Sequence, residues 1–180
     1  VRPRERALIN IEKALTIDGW MQPEELAWLA EQAQRRRFIV EIGSYLGRST
    51  RALADNALGI VYAIDDWHGP RDVDWLTDEQ RGAIADTFRK NMEGTKARVE
   101  MISSDHAAAS VIETPDMVFI DGDHEYASVK RDIDRWYARM ALGGLLCGHD
   151  VNHVGVAQAL RHTFGKYAIA PNTTIWYVEV

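Results

Sequence analysis

Five short apolar runs in this chain end in, or beside, an acid: Glu41-Ile42-Gly43, Asp65-Asp66, Ser104-Asp105, Asp121-Gly122-Asp123-His124 and His149-Asp150. Carboxylates hold divalent cations and accept hydrogen bonds from hydroxyls and amines, and imidazoles move protons near neutral pH. Acids also cap the helices that follow such runs. Capping explains one or two of the five well and all five with difficulty, so a ligand site is the better reading.

The densest signal is Phe38-Ile39-Val40-Glu41-Ile42-Gly43-Ser44-Tyr45-Leu46-Gly47-Arg48-Ser49-Thr50. It reads as a buried strand, a tight loop and a helix N-terminus. The two glycines let backbone approach a ligand that a side chain would exclude. Glu41 repels phosphate and suits a cationic ligand. A nicotinamide fingerprint would be Gly-x-Gly-x-x-Gly, and here only Gly43 and Gly47 are present. Asp65, 22 residues after Gly43, ends the second run at the offset where an acid accepts both ribose hydroxyls.

The elements that must hold these residues alternate between periods. An amphipathic helix over Pro23 to Arg37 buries Leu26, Leu29, Ala30 and Ala33. Strand Phe38 to Ile42 follows, then a helix over Arg48 to Leu58 with Leu53, Ala54, Ala57 and Leu58 inward. Strand Ile60 to Ile64 leads to a loop over Trp67 to Leu76. Thr77 and Gln80 form a capping box opening a helix that buries Ile84, Phe88 and Met92. Strand Arg98 to Ile102, a short helix over His106 to Ile112 and strand Met117 to Ile120 come next. The helix over Glu125 to Met140 puts Tyr126, Val129, Ile133, Trp136, Tyr137 and Met140 on one stripe. Strand Leu145 to Cys147 precedes a helix over Val154 to Phe164, with Val156, Ala157, Leu160 and Phe164 inward. Strands Tyr167 to Ala170 and Thr174 to Val180 flank Pro171-Asn172 as a hairpin. This alternation implies an α/β fold with a parallel sheet between helices on both faces. A single domain is expected over 1–180, with a helical segment over 1–37 and a Rossmann-like core over 38–180.

With 180 residues, 46% apolar, 27% charged and a net charge of −6, the composition is that of a globular domain. The acidic balance argues against nucleic acid as a partner. Arg35-Arg36-Arg37 reads as a solvated helix end. Cys147, the one cysteine, lies in an apolar run and reads as a buried small hydrophobe. No run has the length of a membrane span and no signal peptide is visible, so a cytoplasmic setting without membrane association is expected.

The glycine loop resembles that of class I S-adenosylmethionine (SAM)-dependent methyltransferases. Phe119-Ile120-Asp121-Gly122-Asp123-His124 with Gly148-His149-Asp150 resembles the small family that includes macrolide-sugar O-methyltransferases and cephalosporin-pathway enzymes, over about Gly19 to Leu160. The resemblance implies a seven-stranded sheet of order 3-2-1-4-5-7-6 closed by the antiparallel hairpin. For the cofactor it implies Glu41, Gly43, Ser44, Tyr45, Gly47 and Ser49 in the loop, then Asp65, Asp66 and Trp67, then Ser104 and Asp105 at the adenine, and Asp121. It makes Asp121, His149 and Asp150 ligands of a divalent metal, Mg2+ with Mn2+ as the other choice. His124 becomes the general base, so that His124, Asp121 and His149 form the catalytic set. The acceptor would be a hydroxyl of a small molecule, a sugar or natural product, and the enzyme a homo-oligomer.

The chemistry is coherent with those residues. A hydroxyl is a poor nucleophile while protonated; a metal lowers its pKa and an imidazole takes its proton. The family often has an acid where this chain has His149. Either the metal differs, or His149 stands behind the ligands, or Asn152 completes the site. Asp123 is expected to cap a helix and His153 to be a loop residue. His124 has the alternative role of a helix-start hydrogen-bonding residue. Trp67, His68 and Trp75 either cover the cofactor, stack on the acceptor, or fill space beside the sheet. A metal-independent methyltransferase and a non-catalytic SAM-binding subunit are the competing readings.

Overall fold

Glycine and proline punctuation, with β-branched runs between, dictates where this chain turns. The computed structural model describes residues 8–69, 76–103 and 107–180. Among them the order is α1 Glu12–Leu15, α2 Pro23–Ala33, β1 Phe38–Ile42, α3 Arg48–Ala54, β2 Ile60–Asp65, α4 Asp78–Gly82, α5 Ile84–Asn91, β3 Arg98–Ser103, α6 Ala107–Ser110, β4 Met117–Ile120, α7 Tyr126–Tyr137, β5 Leu145–Gly148, α8 Val154–Phe164, β6 Ala168–Ile169 and β7 Trp176–Glu179. The sheet order is β3-β2-β1-β4-β5-β7-β6. The first five of these strands pair parallel, and β7 runs antiparallel to both β5 and β6. This is the order that the sequence resemblance implied.

Strand β1 is central, so its side chains enter two apolar layers. Ile39 packs with Leu26, Leu29, Leu53 and Phe119 on one face. Val40 packs with Ile64, Ile133, Trp136 and Leu160 on the other. A near-continuous apolar strand is what a parallel sheet covered on both faces requires. Chain order reverses between β1 and β4, and ligands bind at the carboxyl ends of the strands beside such a reversal. Gly43 marks that point. Its φ is +86°, and a Cβ there would lie 2.1 Å from the Asp121 carbonyl oxygen. Only glycine lets the loop cross the end of β4 so closely.

Several boundaries differ from the sequence expectation. Helix α3 ends at Ala54, because the Asn56 amide bonds the carbonyls of Ala52 and Asn10 and the Leu58 N–H joins the Arg36 carbonyl. Leu58 is therefore 51% exposed rather than inward. The helix after Thr77 breaks at Ala83 into α4 and α5, where Gly82 weakens the helix. The one-turn helix α1 lacks the length to show a period. It is tied to α3 by the Arg48 guanidinium, which donates to the carbonyls of Ala14, Leu15, Ile17 and, from Nε, Met21. Tyr137 is 39% exposed and rests against Phe164 at the edge of the α7 stripe.

Candidate functional site

Glu41 points from β1 into the base of the glycine loop and is fully buried. Its Oε2 accepts hydrogen bonds from the hydroxyls of Ser44, at 2.8 Å, and Thr50. Burial pushes this carboxyl up to about 7, and the hydroxyls of Ser49, Thr50 and Ser44 hold it from rising further. Glu41 thus braces the loop from beneath. Thr50, which sequence reading passed over, is half of that brace.

Asp65 ends β2 and fixes the same loop from the other side. Its Oδ2 accepts the N–H groups of Ser44 and Tyr45, each at 2.8 Å, and its Oδ1 that of Trp67 at 2.8 Å. Burial raises its pKa against these backbone donors. Tyr45 and Trp67 are held at positive φ, 46° and 61°, an uncommon state that such fixed donors maintain. Asp66 accepts the His68 N–H. The Trp67 ring turns onto Phe88, with centroids 4.9 Å apart, so it fills space beside the sheet. Gly47 caps α3 at φ +90°, and a Cβ there would meet Met92 and Phe88. Ser104, Asp105 and Trp75 lie outside the described residues.

The second half of the site gathers at the ends of β4 and β5. His149 lies between carboxylates: Nδ1 is 3.2 Å from Asp150 Oδ2 and 3.4 Å from Asp121 Oδ1, and Nε2 is 3.0 Å from Glu25 Oε2. The contact to Glu25 is an ion pair by distance without hydrogen-bond alignment. His124, just before α7, places Nε2 2.8 Å from Asp150 Oδ2. Side-chain exposure rises from 10% at His149 through 20% at Asp121 and 22% at Asp150 to 37% at His124. His149 is therefore the most buried of the four and His124 the most exposed.

Three carboxylates face His149 inside this cluster. Burial disfavours a charged His149, but Asp121, Asp150 and Glu25 together hold its pKa up to about 12. Burial likewise opposes ionisation of Asp150, yet His124 and His149 keep its carboxyl well below the usual range. Asp121 is raised by burial despite His149. Burial also works against a charged Glu25, but His149 and the backbone donors of Thr174 and Gln22 lower it to about 2.

Backbone geometry pins the cluster. Asp150 sits at φ +58°, and the Val151 N–H bonds the Thr174 carbonyl. Gly155, near the start of α8, has no room for a side chain: a Cβ would be 2.2 Å from the His124 carbonyl oxygen. That close approach sets His124 against the β5 end.

Among the described residues, two groups of donors could hold a metal ion. Asp121, His149 and Asp150 form one, and His124, Asp150 and His153 the other, with ligand atoms within 4.8 Å of one another in each. Adjacent donors around a small divalent ion, with bonds of about 2.1 Å, stand roughly 3.0–3.4 Å apart. The spacing of Nδ1 from its two carboxylates fits this, and the donor set of the first group is what such an ion takes. Asn152 is exposed. His153 is the N-cap position of α8, and its ring stacks on His124 at 4.3 Å. Asp123 does not cap α7 directly; it accepts the N–H of Glu125, which occupies the N-cap position.

Glu25 was missed by sequence reading. It comes from α2, outside the strand ends, and is 3% exposed. The available signals were the Gln22/Glu25 capping box and an acid beside the buried Leu26 and Leu29. Trp20 was also passed over as a site residue. It is 56% exposed, lies 5.2 Å from Tyr45 by ring centroids, and shares an open pocket with Asp18, Gly19 and Tyr45.

The family profile described as a methyltransferase domain matches residues 40–151, and the chain belongs to that family. Solved structures agree in fold. Cofactor-bound Rv0187 from MTB is 18% identical with a TM-score of 0.69, over 94% of this chain and 86% of that one. An O-methyltransferase from Bacillus cereus in complex with SAH is 18% identical with a TM-score of 0.65, over 94% and 90%. CalS11, a TDP-rhamnose 3'-O-methyltransferase of calicheamicin biosynthesis, is 13% identical with a TM-score of 0.59, over 86% and 76%. The fold is that of the class I SAM-dependent methyltransferases. Among the described residues no helix is long and apolar enough to cross a membrane.

Proposed function

We propose that this methyltransferase transfers the methyl group of SAM to a hydroxyl of a small molecule, with a divalent metal held by Asp121, His149 and Asp150. The observation that carries the proposal is the position of the metal-type cluster, with His124 on Asp150, at the strand ends beside the braced glycine loop. The similarity to O-methyltransferases, one of them acting on a nucleotide-linked sugar, supports the acceptor class.

When bound, SAM supplies an electrophilic methyl group and the divalent ion supplies positive charge that acidifies a hydroxyl. The chain does the rest. The Gly43–Gly47 loop, fixed by Glu41 and Asp65, presents backbone close to the cofactor. His124, with its Nε2 against Asp150, is the group that takes the acceptor's proton. Asp150 then stabilises the imidazolium. Trp20 and Tyr45 offer aromatic faces to a sugar or ring acceptor.

A second reading has its own support. His149, held charged between carboxylates, is a fixed cation standing where the metal would be. In that case methyl transfer is metal-independent and His124 works with Asp150 alone. Methyl transfer from SAM to a panel of sugar and phenol acceptors, with and without chelator, tests both readings. Loss of turnover with chelator, restored by Mn2+ or Mg2+, supports the metal reading. Chelator-insensitive turnover supports the second, and no transfer to any hydroxyl sinks the acceptor class.

A further inference from the structure

Glu25 belongs to a helix that precedes the sheet, yet it reaches the floor of the site. It is held there by more bonds than a helix cap needs. Oε1 accepts from the Thr174 N–H and the Thr174 hydroxyl, each at 2.9 Å, and Oε2 from the Gln22 N–H at 2.9 Å. Thr174 lies just before β7 and its carbonyl accepts the Val151 N–H, one residue beyond Asp150. The carboxylate is thus clamped between α2 and the β5 and β7 ends, with Oε2 3.0 Å from His149 Nε2.

A histidine that ligates a metal through one nitrogen almost always presents the other to a carboxylate or carbonyl, which fixes its tautomer and ring plane. Glu25 occupies that position toward His149 as an ion pair at 3.0 Å, short of hydrogen-bond alignment. The opposite nitrogen, Nδ1, is the one that faces Asp121 and Asp150. Imidazole is a borderline ligand, poorly matched to Mg2+ and well matched to first-row transition ions.

Resting on the metal reading given above, we infer that Glu25 is the positioning residue that aims His149 Nδ1 at the metal, and that the site consequently takes a first-row transition cation in preference to magnesium. Of the two ions expected from the sequence, Mg2+ and Mn2+, this favours the second, and the preference comes from one imidazole and the helix that supports it.

The test compares Mn2+ and Mg2+ titrations by calorimetry on the wild type, Glu25→Gln and His149→Asp. S-adenosylhomocysteine binding is measured alongside as the check on folding. The wild type binds Mn2+ much more tightly than Mg2+. Glu25→Gln loses Mn2+ affinity by about 10–100-fold, with S-adenosylhomocysteine affinity within about twofold. His149→Asp lowers the Mn2+/Mg2+ preference at least about tenfold, as an all-oxygen site should. Electron spin-echo spectroscopy of Mn2+ on the wild type adds a readout that needs no variant: nitrogen coupling from a bound imidazole, which disappears in His149→Asp. Equal Mn2+ affinity in Glu25→Gln overturns the role of Glu25 alone. Absence of nitrogen coupling in the wild type, or its persistence in His149→Asp, overturns the assignment of His149. A wild type that binds neither ion overturns the metal reading and this inference with it.

Discussion

His124 Nε2 lies 2.8 Å from Asp150 Oδ2, and Asp150 is held at positive φ so that this one oxygen also faces His149 Nδ1. One carboxylate therefore links a solvent-facing imidazole to a buried one. The outer ring has a base's exposure and an acid partner; the inner ring has a ligand's burial.

Replacing His124 by Ala is expected to lower kcat by about 10²–10⁴-fold, with SAM affinity little changed. Asp150→Asn keeps the shape but removes the charge that stabilises the imidazolium and adds an amide donor that can reverse the tautomer, and should lower kcat comparably. Steady-state kinetics at several pH values checks both. A rise in KM with kcat intact would remove the base role.

Gly155→Ala should injure the same dyad from outside it. The added carbon would sit 2.2 Å from the His124 carbonyl oxygen, so α7 and α8 must separate. The expected outcome is a loss of kcat well beyond any change in S-adenosylhomocysteine affinity. Gly43→Ala should do the reverse. A Cβ 2.1 Å from the Asp121 carbonyl, at φ +86°, breaks the cofactor loop at a cost of at least about 1–3 kcal/mol. Calorimetric binding and thermal unfolding distinguish the two variants.

Glu41 makes stability depend on pH. Its carboxyl titrates at about 7 in the folded chain, against an ordinary value of 4.5. Between those values the folded state holds a proton that the unfolded chain has released, so stability falls as pH rises. The contribution is fully present below about 4.5 and lost by about 7, a swing of roughly 3 kcal/mol. Glu41→Gln, which cannot ionise, should flatten that slope in denaturant titrations across pH 4.5–8. An unaltered slope would place the ionisation elsewhere.

The parallel sheet was legible because strand ends and helix periods alternate from Phe38 onward, whereas its order followed from the family resemblance of the glycine loop and the strand-end motifs. Asp65, Asp121, His149 and Asp150 were legible as strand-end residues because topology carries every such end to one side. What sequence could not show was direction. Glu41 reads as a ligand contact, and sequence did not show that its Oε2 also takes the hydroxyls of Ser44 and Thr50. Trp67 reads either as an aromatic cover or as a space-filler beside the sheet, and its ring packs on Phe88. Glu25 stands 124 positions before His149 in the sequence, and no local pattern links them; only the packing of α2 against the β5 and β7 ends does.

Trp20 tests where the acceptor sits. Trp20→Ala should raise the acceptor KM about tenfold or more, as loss of a stacking face does, and leave kcat at saturation near the wild-type value. An equal fall in kcat with unchanged KM would move the acceptor away from the Trp20–Tyr45 pair.

The most direct measurement is an anomalous difference map from crystals grown with S-adenosylhomocysteine and Mn2+. The expected result is cofactor density over the Gly43–Gly47 loop reaching Asp65, and one strong anomalous peak bounded by Asp121, His149 and Asp150. Cofactor density without a peak there would contradict the metal centre and favour His149 as the fixed cation; a loop without cofactor density would contradict the methyltransferase site itself.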